Sequence, residues 1–117
     1  SFLTEVANEL EDLIAKEQYS KQQMHKLSQS EIKEKIIELP TWTIANQALE
    51  KEFRFQNFSQ ALAFIVRIGI EAEKLNHHPE IKNIYNCVSI RLSTHDVKAL
   101  SDLDFLLAHK IDSACDS

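Results

Sequence analysis

The chain has 117 residues and a formal net charge of -5, with 44% hydrophobic and 26% charged residues. This length and this balance suit one globular domain with its own core. Non-specific binding of nucleic acids depends on clustered lysine and arginine, and no segment of the chain is rich in them. We therefore expect no nucleic-acid partner.

Other classes of protein are disfavoured by what the sequence lacks. No apolar run reaches the ~18 residues of a membrane span and no signal peptide is visible, so we expect a cytoplasmic protein with no membrane partner. The single glycine, Gly69, leaves no glycine-rich loop for phosphate groups. Cys87 and Cys115 lack metal-ligand spacing, and we interpret them as reduced thiols.

Residues 2–18 have the apolar periodicity of an amphipathic helix, with acidic residues on the opposite face. The apolar positions are Leu3, Val6, Leu10, Leu13 and Ile14. The polar stretch KEQYSKQQMHK follows and is interpreted as a linker. We assign residues 1–22 to an N-terminal extension and residues 23–117 to the main domain.

A second helix is predicted by the S-x-x-E spacing of Ser28 and Glu31, which is typical of a capping box. This helix should run through Ile37 and stop before Pro40. The segments TWTIANQ and LEKEFRF then alternate as the paired strands of a hairpin do.

The longest helix should begin after Asn57, which can cap it, and end near Leu75, because Pro79 disfavours helical backbone in the residue before it. Its expected apolar positions are Ala61, Ile65, Ile68, Ala72 and Leu75.

The last third of the chain predicts further strands and a helix. The segment NIYNCVSIRLS alternates between apolar and polar residues, with a bend at Asn86. Ser101 and Asp104 repeat the spacing of a helix cap, and this helix should run to about Ile111. Strands that come in adjacent pairs indicate an α+β fold: a two-layer domain with four antiparallel strands, helices on one face and the additional N-terminal helix.

The motif NHHPE at residues 76–80 is the strongest candidate for a functional site. His77 and His78 end the longest predicted helix, and His95 ends the last predicted strand. If these elements pack together, three imidazoles line one cleft. Imidazole exchanges protons near neutral pH, since its ordinary pKa is about 6.5.

Three interpretations of the histidines remain open from the residues alone: general acid–base catalysis, zinc binding by three imidazoles and a water, or a solvated turn. Adjacent residues in extended backbone point apart, so His77 and His78 are poorly placed to bind one metal ion. We favour acid–base chemistry or substrate contact and expect no metal. Asp104 also fits a helix cap, and Glu73 also fits an exposed helix carboxylate.

The segments EAEKLNHHPEIKNIYN, VSIRLSTHD and LSDLDFLLA together resemble the pterin-4a-carbinolamine dehydratases. The family pattern of a helix ending in H-H-P-E, then N-x-Y-N and L-[S/T]-T-H, occurs here in order and at similar spacing. Leu27–Ser28, Trp42 and Phe53–Phe58 also fit, so the resemblance covers about residues 25–112.

The resemblance implies a sheet of four antiparallel strands with helices on one face. It also implies a hydro-lyase that converts a 4a-hydroxytetrahydropterin to the quinonoid dihydropterin and water, with no metal or organic cofactor. The product would be reduced for reuse by aromatic amino acid hydroxylases, so a functional link with such a hydroxylase follows. A homo-oligomer, dimer or tetramer, is expected because the domain and its additional helix leave apolar surface to bury.

The resemblance also assigns roles to residues. His77, His78 and His95 form the expected catalytic set: His77 and His95 match the acid–base histidines, and His78 matches a histidine that mainly holds the pterin. Glu73 and Asp104 match acids that orient the histidines. The other expected pocket residues are Asn76, Pro79, Ser93, Thr94 and Asp96.

The sequence departs from the family pattern at Ile81, where the family usually has tryptophan. An aromatic wall beside the pterin is then lost, and lower substrate affinity is expected. The alternative function is a non-catalytic, coactivator-type scaffold that keeps the dehydratase fold. Retention of all three histidines favours the enzyme.

Overall fold

The structure is a computed structural model that describes residues 2–21 and 25–115. In chain order, its elements are helix α1 (Phe2–Lys21), helix α2 (Gln29–Ile36), strands β1 (Thr43–Ala45) and β2 (Ala48–Arg54), helix α3 (Phe58–Leu75), strands β3 (Glu80–Ile84) and β4 (Cys87–Leu92), a short 3-10 turn (His95–Val97) and helix α4 (Asp102–Cys115). No helix within these residues has both the length and the hydropathy that a bilayer crossing requires.

The sheet is built from two hairpins that lie side by side. All pairings are antiparallel and the strand order is β1-β2-β4-β3, so β2 and β4 form the centre. Alternation along these strands turns Phe53 and Val88 towards the helices, whereas Glu52 and Ser89 lie on the open face. The predicted α+β fold is confirmed.

Both hairpins are closed by short turns with left-handed backbone. Asn46 and Gln47 have φ values of 51° and 61°, the geometry that suits a two-residue hairpin loop. The predicted bend at Asn86 lies in the second turn. Its side-chain amide donates to the Phe55 carbonyl and its carbonyl accepts from the Phe55 N–H, both at 2.9 Å, so this residue ties the two hairpins together.

Helix α2 begins with the predicted capping box. The Ser28 hydroxyl accepts from the Glu31 N–H at 3.1 Å, and the Glu31 carboxylate accepts from the Ser28 N–H at 2.9 Å. The Ser28 backbone N–H, with a smaller contribution from its hydroxyl, holds the pKa of the Glu31 carboxyl below its ordinary value.

Helix α3 crosses the sheet and supplies much of the core. The Asn57 side chain accepts from the Gln60 N–H at 2.9 Å, so the predicted cap is confirmed. The prediction omitted Phe64, which is fully buried and packs against Phe53 with ring centroids 4.8 Å apart. Ile65, predicted among the apolar positions, is half-buried. The buried residues of the helix are Ala61, Phe64, Ile68, Ala72 and Leu75.

Helix α1 packs on α3 and is joined to α4 by an ion pair between Asp12 and Lys110 at 2.7 Å. The helix reaches Lys21, so the first part of the predicted linker is helical. Among the α1 side chains that the structure describes, Asp12 is the buried one, whereas four of the predicted apolar positions are exposed: Leu3, Val6, Leu10 and Leu13. The side chain of the fifth, Ile14, lies outside the described residues.

Candidate active site

The site begins where α3 ends. Asn76 adopts left-handed backbone with φ 50°; its N–H donates to the Glu73 carbonyl, and the His77 N–H donates to the Ala72 carbonyl, both at 3.1 Å. These two bonds form a Schellman motif, which closes a helix and turns the chain sharply. The turn sends the adjacent histidines into different surroundings: His77 is buried, with 8% of its surface exposed, and His78 is exposed.

His77 contacts a buried carboxylate. Its Nε2 lies 2.6 Å from Oδ1 of Asp104, a residue with no exposed surface. The second oxygen, Oδ2, accepts from the Thr94 hydroxyl at 2.8 Å and from the Ser101 N–H at 2.9 Å. An unpaired buried carboxylate would be costly, and these donors offset that cost. The network joins the end of α3, the segment after β4 and the start of α4.

Of the two hydrogen bonds in the predicted cap of α4, one is present. The Asp104 carboxylate accepts from the Ser101 N–H, as the third residue of a capped helix does. The Ser101 hydroxyl instead lies 2.5 Å from the Thr94 hydroxyl. Ser101 therefore belongs to the His77 network, a role that its position at a helix start did not predict.

His78 forms a second, exposed pair. Its Nε2 lies 2.7 Å from Oε1 of Glu73, and the two side chains are 60% and 77% exposed. Ion pairs this exposed contribute little to stability. The contact orients the imidazole and leaves it accessible to a ligand.

His95 opens the 3-10 turn directly after Thr94. The turn is closed by backbone bonds between Thr94 and Ala99 at 2.8 and 3.4 Å. The side chains of His95 and Asp96 are exposed, and Ser93 is half-buried. Thr94 is 2% exposed, so it supports the turn from inside while His95 remains accessible.

The structure thus divides the predicted site residues into groups. His77, Thr94 and Asp104 share one buried network, and His95 is the chain neighbour of Thr94. His78 and Glu73 form the exposed pair. The remaining predicted residues flank these groups in the chain: Asn76, Pro79, Ser93 and Asp96.

His77 and His78 bond different carboxylates, one buried and one exposed. Among the described residues, no group of three or more histidine, cysteine, aspartate and glutamate side chains is arranged to hold a metal ion. The chemistry that this arrangement supports directly is proton transfer by imidazoles that carboxylates orient.

A cavity of about 690 Å³ lies on the open face of the sheet and is lined by none of the three histidines. Several of its charged groups are already paired: Arg91 lies 3.3 Å from Glu50 and 3.9 Å from Glu80, and Lys51 lies 2.8 Å from Asp112. A reactive site needs acid–base groups that remain available to a substrate. We therefore place the candidate site at the histidines.

The chain is similar to known proteins in sequence and in fold. The family model of pterin 4 alpha carbinolamine dehydratase matches residues 25–114. A relative from Burkholderia ambifaria that is named for this family is 45% identical over 94 residues, which cover 79% of this chain and 92% of the relative. A relative from Prochlorococcus marinus with the same family name is 51% identical over 73 residues, 62% of this chain and 76% of the relative.

A solved structure is also similar. The crystal structure of a transcriptional coactivator/pterin dehydratase from Brucella melitensis superposes with a TM-score of 0.75 at 34% identity. The match covers 78% of this chain and 99% of that protein. The sequence matches and the shared fold lead to one conclusion: this chain belongs to the pterin 4 alpha carbinolamine dehydratase family.

Proposed function

We propose that the protein is a hydro-lyase that converts a 4a-hydroxytetrahydropterin to the quinonoid dihydropterin and water, in support of a pterin-dependent hydroxylase. The observation that carries the proposal is the 2.6 Å contact between His77 and the buried Asp104 carboxylate. A buried carboxylate orients an imidazole and stabilises its protonated form, which makes the histidine an effective acid–base group.

The reaction needs one proton delivered and one removed. The C4a–O bond breaks, and the leaving hydroxyl takes a proton to become water. N5 loses its proton, and the electron pair of that N–H bond forms the N5–C4a double bond. We assign these two transfers to His77 and His95, one acting as the acid and the other as the base. Exchange with solvent restores both imidazoles.

The other predicted residues bind or orient. We assign pterin contact to the exposed His78, which Glu73 holds at 2.7 Å. Asp104 orients His77. Residues one or two positions from the three histidines form the approach to the substrate: Asn76, Pro79, Ser93 and Asp96. Thr94 is buried, so it acts through its bonds to Asp104 and Ser101.

A dehydration assay tests this proposal. The rate of quinonoid dihydropterin formation from a 4a-hydroxytetrahydropterin is measured with and without the protein. Acceleration above the spontaneous dehydration is the expected result, and positioned acid–base groups typically contribute about 100- to 10,000-fold. An unchanged rate at micromolar protein would contradict the proposal.

The proposed mechanism uses no metal. Turnover should survive treatment with a chelator, and elemental analysis of the purified protein should find no stoichiometric zinc. Zinc at one ion per chain, removed by the chelator together with the activity, would favour a metal-dependent hydrolase instead.

A binding function is the second candidate. It is favoured by the exposed apolar residues of α1 and α3 and by the coactivator part of the name of the Brucella melitensis relative. Such a role would depend on the helical surface and would leave the histidines dispensable. Partner binding that survives replacement of all three histidines, in a protein without dehydratase activity, would support it.

A further inference from the structure

The hydroxyl groups beneath His77 form a continuous chain of hydrogen bonds. Ser101 Oγ lies 2.5 Å from Thr94 Oγ1, which lies 2.8 Å from Asp104 Oδ2, and Asp104 Oδ1 lies 2.6 Å from His77 Nε2. All four residues are buried, with exposed fractions of 2%, 2%, 0% and 8% in that order. Water therefore does not compete for these bonds, and their directions follow from the donors available.

Counting protons along this chain fixes each direction. An ionised carboxylate only accepts hydrogen bonds, so Thr94 donates its single hydroxyl proton to Asp104. Ser101 must then be the donor in its contact with Thr94. His77 must donate from Nε2, and a neutral imidazole with a proton on Nε2 has a lone pair on Nδ1.

Nδ1 of His77 is left for another partner. It makes no hydrogen bond within residues 2–21 and 25–115. It is also not completely buried in that part of the chain. This nitrogen therefore combines a defined protonation state with some contact with solvent.

We propose that Ser101 and Thr94 are positioning residues that act through Asp104, hold His77 in the tautomer protonated on Nε2, and so present Nδ1 to the substrate. The tautomer follows from the geometry and the ionised Asp104 carboxylate, and it does not require the dehydration. The use of Nδ1 in proton transfer rests on the proposed dehydration.

A purely structural role of Ser101 would look different. An N-cap serine uses its hydroxyl to accept a backbone N–H of its own helix, and this hydroxyl lies against Thr94 instead. The bond stabilises the rotamer in which Thr94 donates to Asp104. Ser101 thereby controls a carboxylate that it contacts otherwise only through its backbone N–H.

Asp104→Asn provides the sharpest test, because the two donors on Oδ2 decide how the amide is oriented. The Thr94 hydroxyl and the Ser101 N–H both require an acceptor, so the Asn oxygen should face them. The amide NH₂ then faces His77 and donates to Nε2. The neutral imidazole should change to the tautomer protonated on Nδ1, and turnover should fall.

The tautomer is measured by NMR of the nitrogen-15-labelled protein at a pH where His77 is neutral. A His77→Gln variant assigns the signals by their disappearance. We expect the wild-type protein and Thr94→Ser, which keeps the hydroxyl, to show the proton on Nε2. Asp104→Asn should show it on Nδ1. Adding Thr94→Val to Asp104→Asn should weaken that preference, since the amide group can then exchange the positions of its oxygen and nitrogen.

Kinetics with a 4a-hydroxytetrahydropterin provide the second readout. Losing the Thr94 hydroxyl in Thr94→Val removes a bond to a charged group and should lower kcat about 10- to 100-fold, whereas Ser101→Ala removes a bond between neutral groups and should lower it about 2- to 10-fold. KM should change little, because neither side chain contacts the substrate. The control is Ser89→Ala, which removes a hydroxyl from the open face of the sheet.

The outcomes separate this proposal from the proposed function. Wild-type His77 protonated on Nδ1, or Ser101→Ala and Thr94→Val variants that match the wild type in kcat, would overturn the positioning role even if the protein is an active dehydratase. A wild-type Nε2 tautomer that reverses in Asp104→Asn supports the hydrogen-bond chain. If the wild-type protein then shows no turnover, the proposed dehydratase function is contradicted, whereas the tautomer assignment stands.

Discussion

At the scale of single residues, the two adjacent histidines differ in burial because the first residue of their motif changes the direction of the chain. The left-handed Asn76 sends His77 into the core and His78 to the surface. The motif itself could be recognised from the sequence, and so could the cap position of Asp104. The sequence could not show that the Ser101 hydroxyl bonds Thr94, because this contact depends on how β4 and α4 meet.

His78→Ala should raise KM with little change in kcat, since the proposed role of this side chain is contact. The loss of one hydrogen bond predicts an increase of about 2- to 10-fold. Stability should change by less than about 0.5 kcal/mol, because the pair with Glu73 is exposed. Steady-state kinetics and thermal unfolding measure both effects. A large fall in kcat at unchanged KM would contradict the contact role.

Ile81→Trp should lower KM, because it restores the aromatic residue that the family usually has at this position. A stacking contact worth about 0.5–1.5 kcal/mol predicts a change of about 2- to 10-fold. Ile81 is half-buried against the core, so thermal unfolding must accompany the kinetics. Ile81→Leu is the control of similar volume. A folded tryptophan variant with unchanged or higher KM would show that the missing aromatic does not limit affinity.

At the scale of elements, the sequence predicts local features such as helix caps better than contacts between distant parts of the chain. The caps at Ser28 and Asn57 depend on residues a few positions apart, and both are present as predicted. The sequence indicated that α1 is amphipathic, but not that its apolar residues would face outward. The buried Asp12 pairs with Lys110 of α4, a contact between distant parts of the chain that no local pattern reports.

Ser28→Ala should destabilise the protein by about 1 kcal/mol at neutral pH, because the cap of α2 loses a bond. Ser30→Ala, in the same first turn but outside the cap, should have a smaller effect. Urea unfolding of both variants measures the difference. Equal effects of the two substitutions would contradict the capping role.

The contribution of Glu31 to this cap should depend on pH. Its pKa is lowered in the folded state, so its stabilising effect is present above the pKa of the unfolded chain and is lost as pH falls through the folded pKa. The free energy of unfolding of the wild-type protein should therefore exceed that of Glu31→Gln at neutral pH, and the two should converge in acid. A difference that persists in acid would contradict this assignment.

At the scale of the whole molecule, the helical layer keeps an apolar surface that the monomer does not bury. Every fourth residue along one side of α3 is exposed and apolar: Phe58, Leu62, Val66 and Ile70, with exposed fractions of 46%, 43%, 62% and 53%. Apolar residues of α1 are exposed as well: Leu3, Val6, Leu10 and Leu13. A surface of this kind is typical of an interface, and we propose a homo-oligomer, dimer or tetramer.

Val66→Lys should dissociate this oligomer, because it places a charge in the middle of the apolar stripe. Lys82→Ala, on the open face of the sheet, is the matched surface control and should leave the assembly intact. Light scattering at micromolar concentration measures the mass of each variant. A wild-type monomer, or an oligomer that Val66→Lys leaves unchanged, would contradict the proposed interface.

Acid–base catalysis by His77 and His95 is the centre of the proposed mechanism, and it is tested by measuring the turnover of the single and double alanine variants. His77→Ala leaves buried Asp104 without one donor and should cost about 1–3 kcal/mol of stability, so circular dichroism must show that each variant is folded at the assay temperature. Each single variant should lose much of its turnover and keep some, since the hydroxyl can lie on either face of the pterin ring. The double variant should approach the spontaneous rate of dehydration. A folded double variant with wild-type turnover would contradict acid–base catalysis by His77 and His95.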